Sequence, residues 1–154
     1  MPLGPGVRYV DTDMAYLAGF FDGEGSIMLI PSTSVNRGPG RYRLTLAVSN
    51  TVEHSVVRYA ITFGGSVLPI AAKNARCKSS YRWMITSAGA ERALMAMLPF
   101  LKVKKDQAQV ALDFRSTQQR PLRGQKLSAE EVSHRDQLVT KLRDLNSKGP
   151  RRVA

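Results

Sequence analysis

Between Gly25 and Lys105 the chain carries twelve basic side chains, Arg37, Arg41, Arg43, Arg58, Lys73, Arg76, Lys78, Arg82, Arg92, Lys102, Lys104 and Lys105, against only Glu53 and Glu91. Over the whole chain arginine outnumbers lysine by 15 to 8. The planar guanidinium fork matches phosphate oxygens and guanine edges, whereas an ammonium acts as a point charge. The chemistry on offer is recognition of a polyanion, and the polyanion should meet the middle of the chain. Other chemistries are thinly provided for. Cys77 is the single cysteine, which excludes an internal disulfide and a Cys-rich zinc module, fits a reducing compartment, and leaves a lone thiol with no partner for metal or nucleophilic work. His134 stands among mixed charges and reads as a solvated side chain.

A second pattern lies nearer the N-terminus. Ala15, Gly19 and Gly23 recur every four residues and so line one stripe of a helix, with Ala18 beside it. Glycine costs about 1 kcal/mol relative to alanine inside a helix, so two on one stripe need a reason. Either another backbone approaches closely there, or the helix is short and frays into a turn.

These residues need a folded frame, and the composition allows one. The chain has 154 residues and a formal net charge of +11, the length of one ordinary domain. With 43% apolar and 23% charged residues it can bury a core, so the signature of an intrinsically disordered protein is absent. The longest mostly apolar stretch near the N-terminus, Met14 to Phe21, is about half of the ~18 residues a membrane span needs. No membrane segment or secretory signal is read, which leaves an intracellular protein with nucleic acid as its first expected partner.

Periodicity sets out the elements. Asp13 to Asp22 reads as a helix opened by Asp11 or Thr12 and closed in the run Gly23-Glu24-Gly25. Ile27 to Ile30 and Tyr42 to Val48 read as a hairpin around Asn36 to Gly40, and Thr51 to Phe63 as a helix stopped by Gly64-Gly65. Ser66 to Ala72 and Ser80 to Thr86 form a second hairpin around the basic loop Lys73 to Ser79. Ser87 then caps a helix ended by Pro99, Lys102 to Thr117 is a further helix, and Ser128-Ala-Glu-Glu131 is a capping box opening the last one, to about Asn146. Alternation assigns faces: Tyr42, Leu44, Leu46, Val48, Val67, Tyr81, Trp83 and Ile85 point to a core. Arg41, Arg43, Thr45, Ala47, Ser80, Arg82, Met84, Leu68 and Ile70 point out of the other side. The expected organisation is a loose N-terminus over 1–10, one domain over 11–146 with its core at about 13–117, a linker over 118–125, a C-terminal helix at about 128–146, and a basic flexible tail over 147–154.

The run Tyr16-Leu17-Ala18-Gly19-Phe20-Phe21-Asp22-Gly23-Glu24-Gly25-Ser26 closely resembles the signature of the LAGLIDADG homing endonucleases. Downstream, Val48-Ser-Asn-Thr51, Phe63-Gly-Gly-Ser-Val67, Tyr81-Arg-Trp-Met-Ile85 and Pro99-Phe-Leu-Lys-Val-Lys104 are similar to that family's landmarks, so the resemblance covers roughly 13 to 117. It implies an α+β fold of order αββαββα, with a four-stranded antiparallel saddle for DNA and additional C-terminal helices. One copy of the motif implies a homodimer in which Ala15, Ala18, Gly19 and Gly23 pack against the partner's helix and bring two copies of Glu24 together.

The activity implied is metal-dependent hydrolysis of one phosphodiester on each strand of a long pseudo-palindromic duplex target. Glu24 and the Gly23 carbonyl would hold Mg²⁺, with Mn²⁺ as a substitute and Ca²⁺ supporting binding without cleavage. Glu24 stands where the family name has Asp. Asp22 is expected mainly to order the helix end, Lys104 to stand near the scissile phosphate, and Asn50 and His54 to position water. The DNA-facing set is Met28, Ile30, Ser32, Ser34, Asn36, Arg37, Arg41, Arg43, Thr45, Leu68, Ile70, Lys73, Arg76, Lys78, Ser80, Arg82 and Met84. The alternative is a non-cutting relative, an RNA-binding intron maturase or a DNA-binding regulator, and retention of Glu24 argues against it. A basic ribosome-associated protein would explain the charge but not the glycine stripe. An organelle, an archaeal cytoplasm or a nucleus would each suit such an intron-borne protein.

Overall fold

The computed structural model describes residues 11–32, 38–118 and 126–147. Helix α1 (Asp11–Glu24) runs directly into strand β1 (Gly25–Pro31), followed by β2 (Tyr42–Asn50), α2 (Glu53–Phe63), β3 (Ser66–Ile70), β4 (Ser80–Thr86), α3 (Ser87–Met97), a 3₁₀ turn (Leu98–Phe100), α4 (Lys105–Ser116) and α5 (Ala129–Ser147). The four strands form one antiparallel sheet in the order β1-β2-β4-β3. This is the α+β, αββαββα arrangement expected, with two further helices.

The strand alternation sorts the faces. Ile27, Leu29, Leu44, Leu46, Val48, Trp83 and Ile85 are buried in one cluster with side chains from all five helices. Tyr59 of α2 stacks on Trp83 with centroids 4.9 Å apart, and each ring finds a partner for its polar atom: Tyr59 Oη donates to the Leu17 carbonyl at 2.6 Å and Trp83 Nε1 to the Gly64 carbonyl at 2.8 Å. Burial pushes the Tyr59 hydroxyl well above the ordinary tyrosine range.

Several boundaries differ from expectation, each for a local reason. The first helix begins at Asp11 and closes at Glu24, inside the Gly23-Glu24-Gly25 run as expected, and Gly25 tucks under the Phe21 ring. A Cβ at Gly25 would lie 2.5 Å from that ring, so the chain turns from helix to strand within one residue. Ser87 is not the cap of α3: Thr86 holds that position without a side-chain cap bond, and Ser87 turns the corner with a φ of 55°. Helix α3 ends at Met97, just ahead of Pro99 as expected, and Pro99 sits inside the 3₁₀ turn that follows, where its missing N–H is not needed. Helix α4 begins at Lys105 instead of Lys102, because the N–H groups of 102–104 are bound by a carboxylate described below. The capping box forms as expected, with Ser128 N–H donating to Glu131 Oε2 at 2.8 Å and Glu131 N–H to Ser128 Oγ at 3.2 Å. Ser147 belongs to α5, not to a tail; residues 1–10, 119–125 and 148–154 lie outside the described residues.

Candidate active site and nucleic-acid interface

Glu24 is the last residue of α1 and is exposed, as is Gly23 before it. Because Gly25 opens β1 opposite Val48, the carboxylate is fixed where α1 and the sheet meet, beside the end of β2. The neighbouring acid is committed elsewhere. Asp22 Oδ2 accepts the N–H of Lys102 at 2.8 Å, while Oδ1 accepts those of Val103 at 3.1 Å and Lys104 at 2.9 Å. In return Lys104 Nζ donates to the Asp22 carbonyl at 2.5 Å. An anion gathering successive backbone N–H groups ahead of a helix is a favourable arrangement, and it clamps the 102–104 loop to the end of α1, two residues from Glu24.

The other two expected catalytic residues stand at the β2–α2 corner. Asn50 Oδ1 accepts the Val52 N–H at 2.8 Å, which makes Asn50 a turn residue. His54 is exposed in the first turn of α2. Among the described residues no hydrogen bond or ion pair joins Glu24 to Asn50, His54 or Lys104, so these side chains share one end of the molecule without forming a closed site. Nor do the described residues contain a cluster of three potential metal ligands. One chain offers one carboxylate and backbone carbonyls, all hard oxygen donors. That set fits half of a magnesium site, since Mg²⁺ is ordinarily held by one or two carboxylates completed by water and substrate phosphate.

The stripe above Glu24 is open. Ala15, Gly19 and Gly23 are exposed, and a Cβ at Gly19 or Gly23 would meet nothing within 4 Å. Nothing among the described residues therefore requires glycine at either position. Ala18 corrects the expectation for this face: its methyl is fully buried in the chain's own core and is not available to a partner, because α1 turns that position inward.

On the outer face of the sheet and its loops, Arg43, Leu68, Ile70, Lys73, Arg76 and Lys78 are exposed. Met28, Ile30, Ser32, Arg41, Ser80, Arg82 and Met84 are half-buried, and Met28 and Ile30 border a cleft between β1 and α5. Arg82 has its Nε buried with no hydrogen-bond partner among the described residues. Thr45 is the correction here. It is 1% exposed and its hydroxyl has no partner among the described residues; it lies on a central strand between Met28 and Thr86, and Ala47, between Ser26 and Met84 on the same strand, is buried too. Alternation places these residues on the correct side of the sheet and says nothing of the height of their neighbours. Ser34, Asn36 and Arg37 lie outside the described residues.

No family model matches the sequence, and no curated protein sequence matches it. Solved structures do. The homing endonuclease I-CvuI, in complex with its target in the presence of calcium, superposes with a TM-score of 0.69 over 93% of this chain and 87% of that one, at 19% identity. The archaeal intron-encoded homing endonuclease I-Vdi141I, complexed with DNA, gives 0.70 over 94% and 90%, at 17% identity. The LAGLIDADG homing endonuclease I-GzeII, in complex with a DNA target, gives 0.58 over 84% of this chain and 43% of its own length, at 16% identity. The chain has the fold of the LAGLIDADG homing endonucleases.

Proposed function

We propose that the chain is a homodimeric, divalent-metal-dependent DNA endonuclease of the LAGLIDADG type, cutting both strands of a long, pseudo-palindromic target. The observation that carries this reading is the position of Glu24 at the foot of an exposed stripe whose glycines meet nothing among the described residues. A second copy packed along Ala15, Gly19 and Gly23 gives them a neighbour and brings a second Glu24 to the same place. The DNA partner is supported by the exposed arginines and lysines on the outer face and by neighbours of the same fold that bind DNA. No helix among the described residues is long and apolar enough to cross a membrane.

In this reading each residue has a separate task. Glu24 and the Gly23 carbonyl of each subunit hold the cation, and a bound Mg²⁺ supplies activation of water and neutralisation of charge on the leaving oxygen. Two structural neighbours are the homing endonuclease I-CvuI, one on its own target with calcium and one on the I-CreI target with magnesium, where the DNA is not cleaved. Asp22 holds the 102–104 loop so that Lys104 stays beside the helix end, within reach of a phosphate whose charge it can balance. Asn50 and His54, at the β2–α2 corner, position water. Affinity comes from the basic outer face and chemistry from the acid pair.

The test separates the two. A duplex that the protein retains from a randomised pool in Ca²⁺ is offered again in Mg²⁺ and Mn²⁺. Cleavage on both strands is expected for the unmodified protein, and Glu24→Gln should bind the duplex as before and cut neither strand. Cutting by Glu24→Gln would overturn the catalytic assignment, and selective binding without cutting in any metal would mark a non-cutting relative. Sedimentation of the unmodified protein should give a dimer, and Gly19→Leu a monomer, because ordinary helix pairs already stand about 8–10 Å apart and a leucine at the contact forbids closer approach.

A further inference from the structure

The β1–β2 hairpin is longer than the strand beside it. Pairing of β2 with β4 begins at Thr45 opposite Thr86, whereas pairing of β1 with β2 continues through Leu44, Arg43 and Tyr42 to Pro31. The end of this hairpin therefore projects past β4 with no third strand to support it. The helices take that place. The Tyr42 ring meets the Phe114 ring of α4 edge-on, at 82° and 6.0 Å between centroids. Its hydroxyl donates to Asp136 Oδ1 of α5 at 2.8 Å, and its carbonyl accepts Gln118 Nε2 at 3.0 Å. Arg135 of α5 is 3% exposed. Its Nη1 donates to the Gly40 carbonyl at 3.3 Å and its Nη2 to the Thr117 carbonyl at 2.8 Å, with the guanidinium 5.8 Å from the centre of the Phe114 ring. On the far side, Asn146 Nδ2 donates to the Ile27 carbonyl of the edge strand at 2.9 Å.

We propose that Arg135 and Asp136 of α5, acting through Gly40 and Tyr42, are positioning residues that hold the projecting end of the β1–β2 hairpin at the height and angle from which Arg43 reads a base edge. This rests on the DNA-binding reading above and adds to it a part that touches no DNA. Arg43 follows Tyr42 directly and is exposed on the opposite side of the strand, so a tilt of Tyr42 is a displacement of Arg43. A bidentate contact to a guanine edge discriminates only when its geometry is held to about 0.5 Å. A phosphate contact carries no sequence information and is less exacting. Loosening the brace should therefore cost discrimination before it costs affinity, and only under this hairpin.

Tyr42→Phe is the sharpest probe, because it keeps the ring on Phe114 and removes only the hydroxyl that reaches Asp136; Asp136→Asn checks the same bond from the other side. The intact protein would be tested against a selected duplex and its single-base-pair variants, after Arg43→Ala and Arg82→Ala have shown which positions each hairpin reads. Discrimination should fall about fivefold at the Arg43 positions, the size of one hydrogen bond, and stay unchanged at the Arg82 positions. Equal loss at every position, or no loss, would overturn the proposal. Hydrogen exchange of the DNA-free protein provides an independent arm: residues 38–46 should exchange faster in Tyr42→Phe while 66–86 do not. Unchanged exchange there overturns the brace whatever the protein binds. Faster exchange together with an unmodified protein that selects no duplex would sustain the brace and overturn both the DNA-binding reading and the role in readout that depends on it.

Discussion

The two hairpins of the sheet have the same antiparallel construction and are held in different ways. The β1–β2 hairpin is buried along its core side, closed at its edge by α5, and braced at its projecting end by Tyr42, Gln118 and Arg135. The β3–β4 hairpin has an open edge: Ser66, Leu68, Pro69 and Ile70 are exposed, and so is every residue of the loop 71–79. Among the described residues that loop's hydrogen bonds are its own, with Asn74 Oδ1 accepting the Arg76 N–H at 3.0 Å and the Asn74 carbonyl accepting the Cys77 N–H at 3.1 Å. Pro69 removes a backbone donor from the edge strand, a common guard against unwanted strand pairing. The contrast separates two demands on a nucleic-acid surface. Reading a base needs a rigid support, whereas attracting a phosphate needs charge on a loop that can adjust.

The largest break in this comparison should come at Arg135. Arg135→Ala removes the donor from the Gly40 and Thr117 carbonyls and the cation from the Phe114 ring, and hydrogen bonds from a charged group are worth about 1.5–3 kcal/mol. A loss of about 3 kcal/mol in urea unfolding is expected. Leu68→Ala, equally a deletion of a large side chain, should stay within about 0.5 kcal/mol because its side chain is already in water. Equal costs for the two would mean that the hairpins are held alike.

A smaller effect is expected at Gly40. Its φ of 76° is in the left-handed region, and a Cβ there would stand 3.1 Å from Val132 Cγ2 of α5. Gly40→Ala should cost about 1–2 kcal/mol from the backbone conformation, before any movement of α5. In DNA binding Arg43 and the 71–79 loop should part by kind of effect. Lys73→Ala or Arg76→Ala should weaken all sequences alike and lower the salt slope by about one for each phosphate that the variant no longer neutralises, while Arg43→Ala relaxes preference at particular base pairs. Relaxed preference from the loop variants would erase the distinction.

How much of this is legible in the sequence depends on how local each feature is. Helix and strand order, the capping box at Ser128 and Glu131 and the outward direction of Arg43 follow from spacing along a few residues. The motif around Glu24 is legible because its glycines and acids are consecutive. What escapes is set by neighbours distant in sequence. Thr45 is buried on a strand flanked by β1 and β4, Ala18 within a core drawn from the sheet and all five helices, and the start of α4 is delayed by a carboxylate 80 residues away in Asp22. The brace is invisible for the same reason. Tyr42 reads as one more core residue of an alternating strand, and Arg135 and Asp136 as two charges in a mixed-charge helix. Only an arginine and an acid side by side opposite an unsupported hairpin end give them a meaning.

The smallest effect, and the one most specific to the polar part of the brace, concerns alkaline pH. The Tyr42 hydroxyl is held above its ordinary value of 10.0, first because its proton is donated to the Asp136 carboxylate, then because of burial and the Asp136 charge, with Arg143 opposing. The folded state thus keeps a proton that the unfolded state gives up near pH 10. The stabilisation is complete below about pH 10 and is lost as pH rises through the raised folded value. Tyr59 shifts in the same direction through burial, so the unmodified protein and Tyr42→Phe should both weaken in strong alkali. They should not weaken equally. At about pH 8 Tyr42→Phe is less stable by the worth of its hydrogen bond, about 1 kcal/mol, but it has no hydroxyl at position 42 to ionise, so its curve falls less steeply and the two converge as pH rises above about 10. Urea unfolding of both proteins across this range reads the difference directly. A gap that stays constant from about pH 8 to about pH 11 would show that the proton on Tyr42 is not what Asp136 holds, and the hairpin would then owe its support to the Phe114 ring and Arg135 alone.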